Sequence, residues 1–153
     1  MTSSETLLDY QRKTIMRVFG CPVRDQYGSA EMAGFFAECE QGRYHVAAEY
    51  GSVQVVDSSG TPLPVGEPGQ LCLTGFINPA MPLVRYLIGD MARLSADSCA
   101  CGRSSAIVES IEGRIDDVIV TPSGRHVGRL DPAFKGVTGI LESQILQTGH
   151  DHI

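Results

Sequence analysis

The distribution of apolar and polar positions predicts one helix at the start of the chain. Four apolar residues near the N-terminus fall roughly on one helical face. These residues are Leu8, Ile15, Val18 and Phe19. Thr2 and Glu5 have the spacing of a capping box, with Thr2 as the N-cap residue. Gly20 is placed to end the helix, because Pro22 cannot continue it.

Beyond this helix the pattern changes to short runs that alternate between apolar and polar residues, which is typical of half-buried antiparallel strands. The expected strands are CPVRDQY, FFAECE, YHVAAEY, SVQVVD, QLCLTGFI and AIVESIEG. PLVRYLIGDMARL predicts two strand pieces broken at Gly89, and DDVIVTPSGRHVG predicts a hairpin that turns at Pro122 to Gly124. DPAFKGVTGILESQILQ predicts a short helix and then a strand. The expected fold class is α+β and mainly β, a small antiparallel barrel or meander with an N-terminal helix and a C-terminal hairpin-plus-strand piece.

Composition narrows the possible functions. The net charge of −6 over 153 residues argues against nucleic acid as the main partner, because phosphate binding needs a basic face. No apolar run approaches the length of a membrane span, and no secretory signal is recognisable at the N-terminus. The five cysteines are an odd number, which favours reduced thiols or a metal site over a disulfide framework. We therefore expect a cytoplasmic protein.

Three segments combine glycine with acidic or basic residues. They are YGSAE at residues 27–31, RYLIGD at residues 85–90 and GRIDD at residues 113–117. Each alone is a common kind of turn, in which an acid caps backbone donors. In this order they resemble three motifs of the adenylate-forming ligase superfamily, and the stretch after residue 117 resembles its phenylacetate–CoA ligase-like branch, which includes the CapK capsular-polysaccharide-biosynthesis proteins. The resemblance covers nearly the whole chain as a C-terminal-side piece of such a ligase.

The first motif implies an adenosine nucleotide site. By the resemblance, Tyr27 offers an aromatic face to adenine, and Gly28 lets the backbone approach the nucleotide closely. Ser29 belongs to the same nucleotide-binding stretch. Glu31 is the implied catalytic residue, a hard oxygen ligand suited to Mg²⁺.

The second and third motifs imply a ribose contact and a hinge. Asp90 is expected to accept the ribose hydroxyls, and Arg114 to meet the ribose or the phosphate charge. Asp116 falls where such ligases turn their C-terminal domain between half-reactions. The implied division is residues 1–112 as the end of the large nucleotide-binding domain, residues 113–117 as the hinge, and residues 118–153 as the start of a C-terminal domain.

The reaction implied by the resemblance is carboxylate plus ATP to acyl-AMP, followed by thioester formation with CoA. The family's phosphate-binding loop and its late catalytic lysine have no match here, and Lys135 lies outside any such motif. We therefore expect this chain alone to be inactive in adenylation. The alternatives are a non-catalytic, zinc-stabilised β-module that binds nucleotide or a partner chain, and an assembly protein. We further expect self-association through Leu7, Leu8 and Phe134, or a companion chain.

A second group of residues has metal-ligating chemistry. Cys39 and His45 lie six residues apart, and Cys99 and Cys101 form a Cys-x-Cys pair. Two such pairs on strand and turn elements suit a tetrahedral, structural Zn²⁺ site, which would pin the loop around Cys99 against the hairpin around Cys39. The alternative is a buried thiol, a strand histidine and an ordinary loop. Cys21 and Cys72 are expected in the core.

Overall fold

The structure, a computed structural model, describes residues 1–2, 7–115, 119–124, 126–127, 134, 137–149 and 152. Within these residues, one helix, α1 (Asp9–Phe19), precedes nine strands. The strands are β1 (Gln26–Gly28), β2 (Phe35–Glu38), β3 (Tyr44–Val46), β4 (Gly51–Val56), β5 (Pro68–Gly75), β6 (Tyr86–Ser95), β7 (Ile107–Arg114), β8 (Ile119–Val120) and β9 (His126–Val127). The predicted mainly β class with an N-terminal helix is confirmed.

Helix α1 begins later than predicted, with Leu8 as its N-cap residue. The predicted N-cap, Thr2, instead forms a parallel bridge with Asp25, because the local capping signal loses to this pairing with a distant segment. The C-terminal prediction is confirmed, since Gly20 has a φ of 61° and donates its N–H to Met16 O at 2.9 Å. No residue of α1 is buried, so the predicted apolar face is only partly covered, and Val18 and Phe19 are exposed.

Seven strands form one antiparallel sheet in the order β1-β2-β3-β7-β6-β5-β4. Strands β4 to β7 follow one another as a meander, and β7 then pairs with β3, with His45 opposite Ile107. This order brings together the segments around β1, β6 and β7, which are distant in sequence. Strands β8 and β9 make a separate two-stranded sheet, which confirms the predicted hairpin.

Two predictions about elements are wrong. Gly89 does not break PLVRYLIGDMARL into two strands, because its positive φ of 87° is accommodated inside the continuous strand β6. Register shifts accompany this irregular stretch, between Met91 and Ala92 and again between Arg93 and Leu94. In the C-terminal segment, the predicted strand is absent, because the described residues 137–149 contain neither a helix nor a strand and Gly149 takes part only in an isolated bridge. The predicted short helix begins in residues 131–136, of which all but Phe134 lie outside the described residues.

The core is built from apolar residues of the central strands, and consecutive residues such as Leu71, Cys72 and Leu73 are all buried, so both faces of β5 are covered. Its fully buried side chains include Phe36, Leu71, Leu73 and Val108. Cys72 is buried as predicted, whereas Cys21 is exposed because it lies between α1 and β1, outside the sheet. A second, smaller cluster contains Cys39, Cys99 and Ile107 with Cys101 packed against it.

Candidate nucleotide and metal sites

The YGSAE segment forms the turn between β1 and β2. Gly28 ends β1, and Met32 N donates to Ser29 O at 3.1 Å to close the turn. A Cβ atom at Gly28 would meet only the Phe35 ring, at the ordinary distance of 3.5 Å, so packing within the chain does not demand glycine there. Ser29 Oγ is the buried side-chain polar atom of the described residues that lacks a hydrogen-bond partner.

Tyr27 connects this turn to the second motif. Its hydroxyl donates to Asp90 Oδ2 at 2.5 Å, across 63 positions of sequence. This is a short hydrogen bond, at the lower limit of the range for a hydroxyl donating to a carboxylate. The Tyr27 ring also stacks on Phe36, with ring centroids 4.8 Å apart and an interplanar angle of 14°. Tyr27 is therefore held both by its face and by its hydroxyl.

Glu31 makes a second contact with β6. Tyr86, the first residue of that strand, donates its hydroxyl to Glu31 Oε1 at 3.4 Å, a long hydrogen bond. The neighbours of this pair, Met32 and Arg85, are the non-glycine residues with positive φ in the described part of the chain, at 57° and 51°. Such backbone costs about 1–3 kcal/mol per residue and is common at functional sites. Tyr86 was not predicted as a site residue, although it lies within the RYLIGD motif.

Arg114 is the last residue of β7 and lies opposite Asp90 in the strand register. Its guanidinium passes over Gly89, since a Cβ atom built there would come within 3.3 Å of Nη2. The three motifs thus supply neighbouring residues around the first half of β6. The predicted hinge residue Asp116 lies outside the described residues, and its role stays a prediction.

A network of hydrogen bonds around Asp25 and Glu38 lies next to this turn. Asp25, just before β1, accepts hydrogen bonds from Thr2 Oγ1 at 2.7 Å and from the Tyr44 hydroxyl at 2.6 Å. Glu38 Oε2 accepts the Asp25 N–H at 2.8 Å and Arg12 Nη1 at 2.9 Å. Sequence reasoning missed this network, because its members are far apart in sequence, and the pattern that contains Thr2 indicated a helix cap instead.

The second predicted site is assembled by three parts of the chain. Cys39 follows β2, His45 lies on β3, and Cys99 and Cys101 belong to the loop between β6 and β7. Their ligating atoms all lie within 4.8 Å of one another. Cys39 Sγ and Cys99 Sγ are 3.7 Å apart, and Cys101 Sγ is 3.3 Å from His45 Nε2. A disulfide needs about 2.05 Å, so the thiols are not paired by one.

These distances fit a tetrahedral zinc ion. Zinc bonds of about 2.3 Å to sulfur and about 2.0 Å to nitrogen place two sulfurs about 3.8 Å apart, and a sulfur and a nitrogen about 3.5 Å apart. His45 Nδ1 lies 3.3 Å from Ser105 Oγ, so Nε2 is the nitrogen directed at the thiols. A backbone hydrogen bond from Cys101 lowers the pKa of the Cys99 thiol, but burial and the neighbouring thiols of Cys101 and Cys39 outweigh it, and that pKa lies above its ordinary value. For the Cys101 thiol, burial raises the pKa, but hydrogen bonds from Arg103 and Cys99 outweigh this, and the pKa lies below its ordinary value. A lowered pKa favours the thiolate, which is the ligating form.

Two further expectations concern surfaces. Leu7, Leu8 and Phe134 are half-buried and do not form the exposed apolar patch expected of them. Exposed apolar side chains lie on α1, on the loop after β5 and in residues 137–146, among other places. Phe19, Phe76 and Val84 are among these exposed side chains. Among the described residues, no helix is both long and apolar enough to cross a membrane.

The fold and the arrangement of the motifs are similar to a segment of solved acyl-CoA ligases. A crystal structure of 2-hydroxyisobutyryl-CoA ligase, in the postadenylation state in complex with R3-HIB-AMP, has a TM-score of 0.67 and 26% sequence identity to this chain. The match covers 84% of this chain and 29% of that chain. No protein-family model matches the chain.

Sequence comparison places the chain within one branch of these ligases. It is 35% identical over 114 residues to a phenylacetate-coenzyme A ligase of Thermus thermophilus, covering 71% of this chain and 26% of that protein. It is 31% identical over 155 aligned positions to protein CapK of Staphylococcus aureus, covering 99% of this chain and 33% of that protein. The chain is thus a homologue of the phenylacetate-coenzyme A ligases and CapK, and it spans about a third or less of the length of these relatives.

Proposed function

We propose that this chain provides the AMP-binding part of an acyl-adenylate-forming ligase. The reaction is the joining of a carboxylate to ATP, which gives acyl-AMP and pyrophosphate, followed by transfer of the acyl group to CoA. The observation that carries the proposal is the hydrogen bond of 2.5 Å from Tyr27 to Asp90, which joins two nucleotide motifs 63 residues apart. The relatives named as CoA ligases, one of them holding an acyl-AMP adduct, support the same reaction class.

Several features of the turn favour a nucleotide. Gly28 is exposed and is not required by packing within the chain, so its backbone is open to close approach by a ligand. The buried Ser29 hydroxyl lacks a partner, which costs about 1–3 kcal/mol unless a ligand or water supplies one. Asp90 accepts hydrogen bonds and suits a ribose diol, while Arg114 on the opposite strand suits a phosphate.

Glu31 is the proposed catalytic residue and magnesium ligand. When Mg²⁺ is bound with ATP, it would neutralise phosphate charge, and the Glu31 carboxylate would hold it. The contact from Tyr86 restricts where that carboxylate points. Asp116 is the proposed hinge between residues 1–112 and residues 118–153. Because the phosphate loop and the catalytic lysine have no match in these 153 residues, we expect no ATP–pyrophosphate exchange from this polypeptide alone.

Equilibrium binding of AMP tests the proposal. We expect saturable binding of AMP to the 153-residue chain, and at least about tenfold weaker binding after Asp90→Ala, because the ribose contact is lost. Asp97→Ala is a matched control, since the Asp97 side chain is 77% exposed and lies outside the motifs. Unchanged AMP affinity in Asp90→Ala would contradict the proposal.

A second candidate function is that of a zinc-stabilised module, and the four-residue cluster around Cys39 favours it as a structural feature of the same chain. We propose that Cys39, His45, Cys99 and Cys101 hold one Zn²⁺. Four protein ligands leave no open position for substrate, so the ion would stabilise the fold by joining the β6–β7 loop to β2 and β3.

Metal analysis of the purified chain tests the zinc proposal. We expect one zinc per chain, loss of the metal in Cys39→Ser, and retention in Cys21→Ser, whose thiol is exposed and outside the cluster. Co²⁺ substitution gives a second readout, because thiolate ligation produces charge-transfer absorbance. A metal-free chain of unchanged stability would contradict this proposal.

We also propose a cytoplasmic location. All five cysteines are free, and the two closest sulfurs that the structure gives, 3.7 Å apart, are not bonded. Reduced thiols are the rule in the cytosol. Finding the protein in an oxidising compartment with its cysteines paired would contradict this.

A further inference from the structure

Tyr27 makes its shortest described contact through its hydroxyl, whereas the motif resemblance assigns a role only to its ring. The hydroxyl donates to Asp90 Oδ2 at 2.5 Å, and Phe36 stacks on the ring with centroids 4.8 Å apart. Phe36 is fully buried, and it is also the cross-strand partner of Tyr27. The stacking on Phe36 therefore fixes the ring of Tyr27, and its hydroxyl lies next to Asp90 on β6.

Asp90 lies in an irregular stretch of β6, where the strand geometry alone does not fix the orientation of the side chain. Gly89 precedes it with a φ of 87°, and the register with β7 shifts just after Met91. A carboxylate there has several rotamers, and binding would have to select one of them. A short hydrogen bond to one oxygen removes that freedom before a ligand arrives, which is how preorganisation increases affinity.

We propose that the Tyr27 hydroxyl is a positioning group for Asp90, which fixes the carboxylate so that its other acceptor sites face the hydroxyls of a ribose. Among the residues that the structure describes, no second side chain donates to Asp90, so Oδ1 keeps its acceptor sites for a ligand. This inference rests on the proposed AMP site and deepens it. It makes Tyr27 a determinant of sugar recognition as well as a neighbour of the base.

The test compares AMP with 2′,3′-dideoxyadenosine 5′-monophosphate, which lacks both ribose hydroxyls. Tyr27→Phe keeps the ring and its stacking on Phe36 but removes the hydroxyl. We expect this variant to bind AMP about tenfold more weakly and to bind the dideoxy nucleotide with less than about a twofold change. Tyr10→Phe is the matched control, because Tyr10 is 61% exposed on α1, and it should change neither affinity.

Other outcomes overturn the inference. An equal loss for both nucleotides would assign Tyr27 to the base or to the fold, and unchanged AMP affinity would show that its hydroxyl has no part in sugar binding. Asp90→Asn combined with Tyr27→Phe should be non-additive for AMP, since both remove the same interaction.

A ligand-free readout separates this inference from the proposed function. With 13Cζ-labelled tyrosine, Asp90→Asn should shift the NMR resonance of Tyr27 and leave that of Tyr10 in place. Absence of that shift overturns the inference whether or not nucleotide binds. Failure of the unaltered chain to bind AMP overturns the proposed function, even if the shift is observed.

Discussion

Removal of the Glu38 carboxylate is the most informative perturbation of the fold. Glu38 Oε2 accepts Arg12 Nη1 at 2.9 Å and the Asp25 N–H at 2.8 Å. Its side chain is 7% exposed, against 26% for Arg12. Glu38→Ala therefore leaves a buried backbone donor unsatisfied and removes the ion pair of the Arg12 guanidinium, which keeps its hydrogen bond to Val23 O at 3.0 Å. From the cost of such groups we expect a loss of about 2–4 kcal/mol in the free energy of unfolding.

Glu40→Ala provides a matched control for Glu38→Ala. Glu40 accepts Arg103 Nη1 at 2.8 Å, but the two side chains are 51% and 52% exposed. Solvent and salt screen such a pair, so we expect little change in stability. Urea unfolding followed by far-UV circular dichroism measures both variants. The reasoning is refuted if Glu38→Ala is no more destabilised than Glu40→Ala.

Two further predictions concern Gly89 and Tyr44. Gly89→Ala should lower the free energy of unfolding by about 1–2 kcal/mol because of the positive φ, and should also weaken AMP binding, since its Cβ would lie 3.3 Å from Arg114 Nη2. Gly60 has a φ of 82°, and a Cβ atom built there has no other atom within 4 Å, so Gly60→Ala should lower stability without weakening AMP binding. Equal AMP affinities in the two variants would refute the predicted clash between the alanine at position 89 and Arg114. Burial and the hydrogen bond to Asp25 raise the pKa of Tyr44, so above pH of about 10 the unfolded chain loses a proton that the folded chain keeps. The free energy of unfolding should then fall by about 1.4 kcal/mol for each pH unit above that point. Urea unfolding of the unaltered chain and of Tyr44→Phe, measured over about two pH units between about 9 and 11, tests this, because the variant should lack the decrease. The same decrease in both proteins would contradict the prediction.

The strands were predictable from sequence because short runs of alternating apolar and polar residues, separated by turn residues, are typical of antiparallel strands. SVQVVD and QLCLTGFI contain β4 and β5, and the turn at Pro122 to Gly124 lies between the paired strands β8 and β9, as predicted. The errors have a common physical origin in long-range pairing. Thr2 and Glu5 have a local capping pattern, but Thr2 bonds to Asp25 instead. Gly89 has the residue type of a strand break, yet neighbours on both sides keep β6 continuous.

The candidate sites were predictable where a residue type carries its own chemistry. Cysteine and histidine are specific enough that the grouping of Cys39, His45, Cys99 and Cys101 could be made from sequence, and the structure brings them together. Tyr86 and Asp25 were missed, because tyrosine and aspartate have many roles and only folding reveals their partners. The hydrogen bond from Tyr86 to Glu31 spans 55 positions, which no local pattern encodes.

Mapping of AMP onto the chain by 15N NMR tests the central claim most directly. The claim is that the turn after β1, the first half of β6 and the end of β7 form one nucleotide site. We predict that AMP shifts the amide resonances of Gly28, Ser29, Gly89 and Arg114 together, with one common dissociation constant. Amides around Cys39 and Cys99, in the proposed zinc site, should remain unchanged. Shifts confined to another part of the chain, or no saturable shifts, would contradict the assignment of this site.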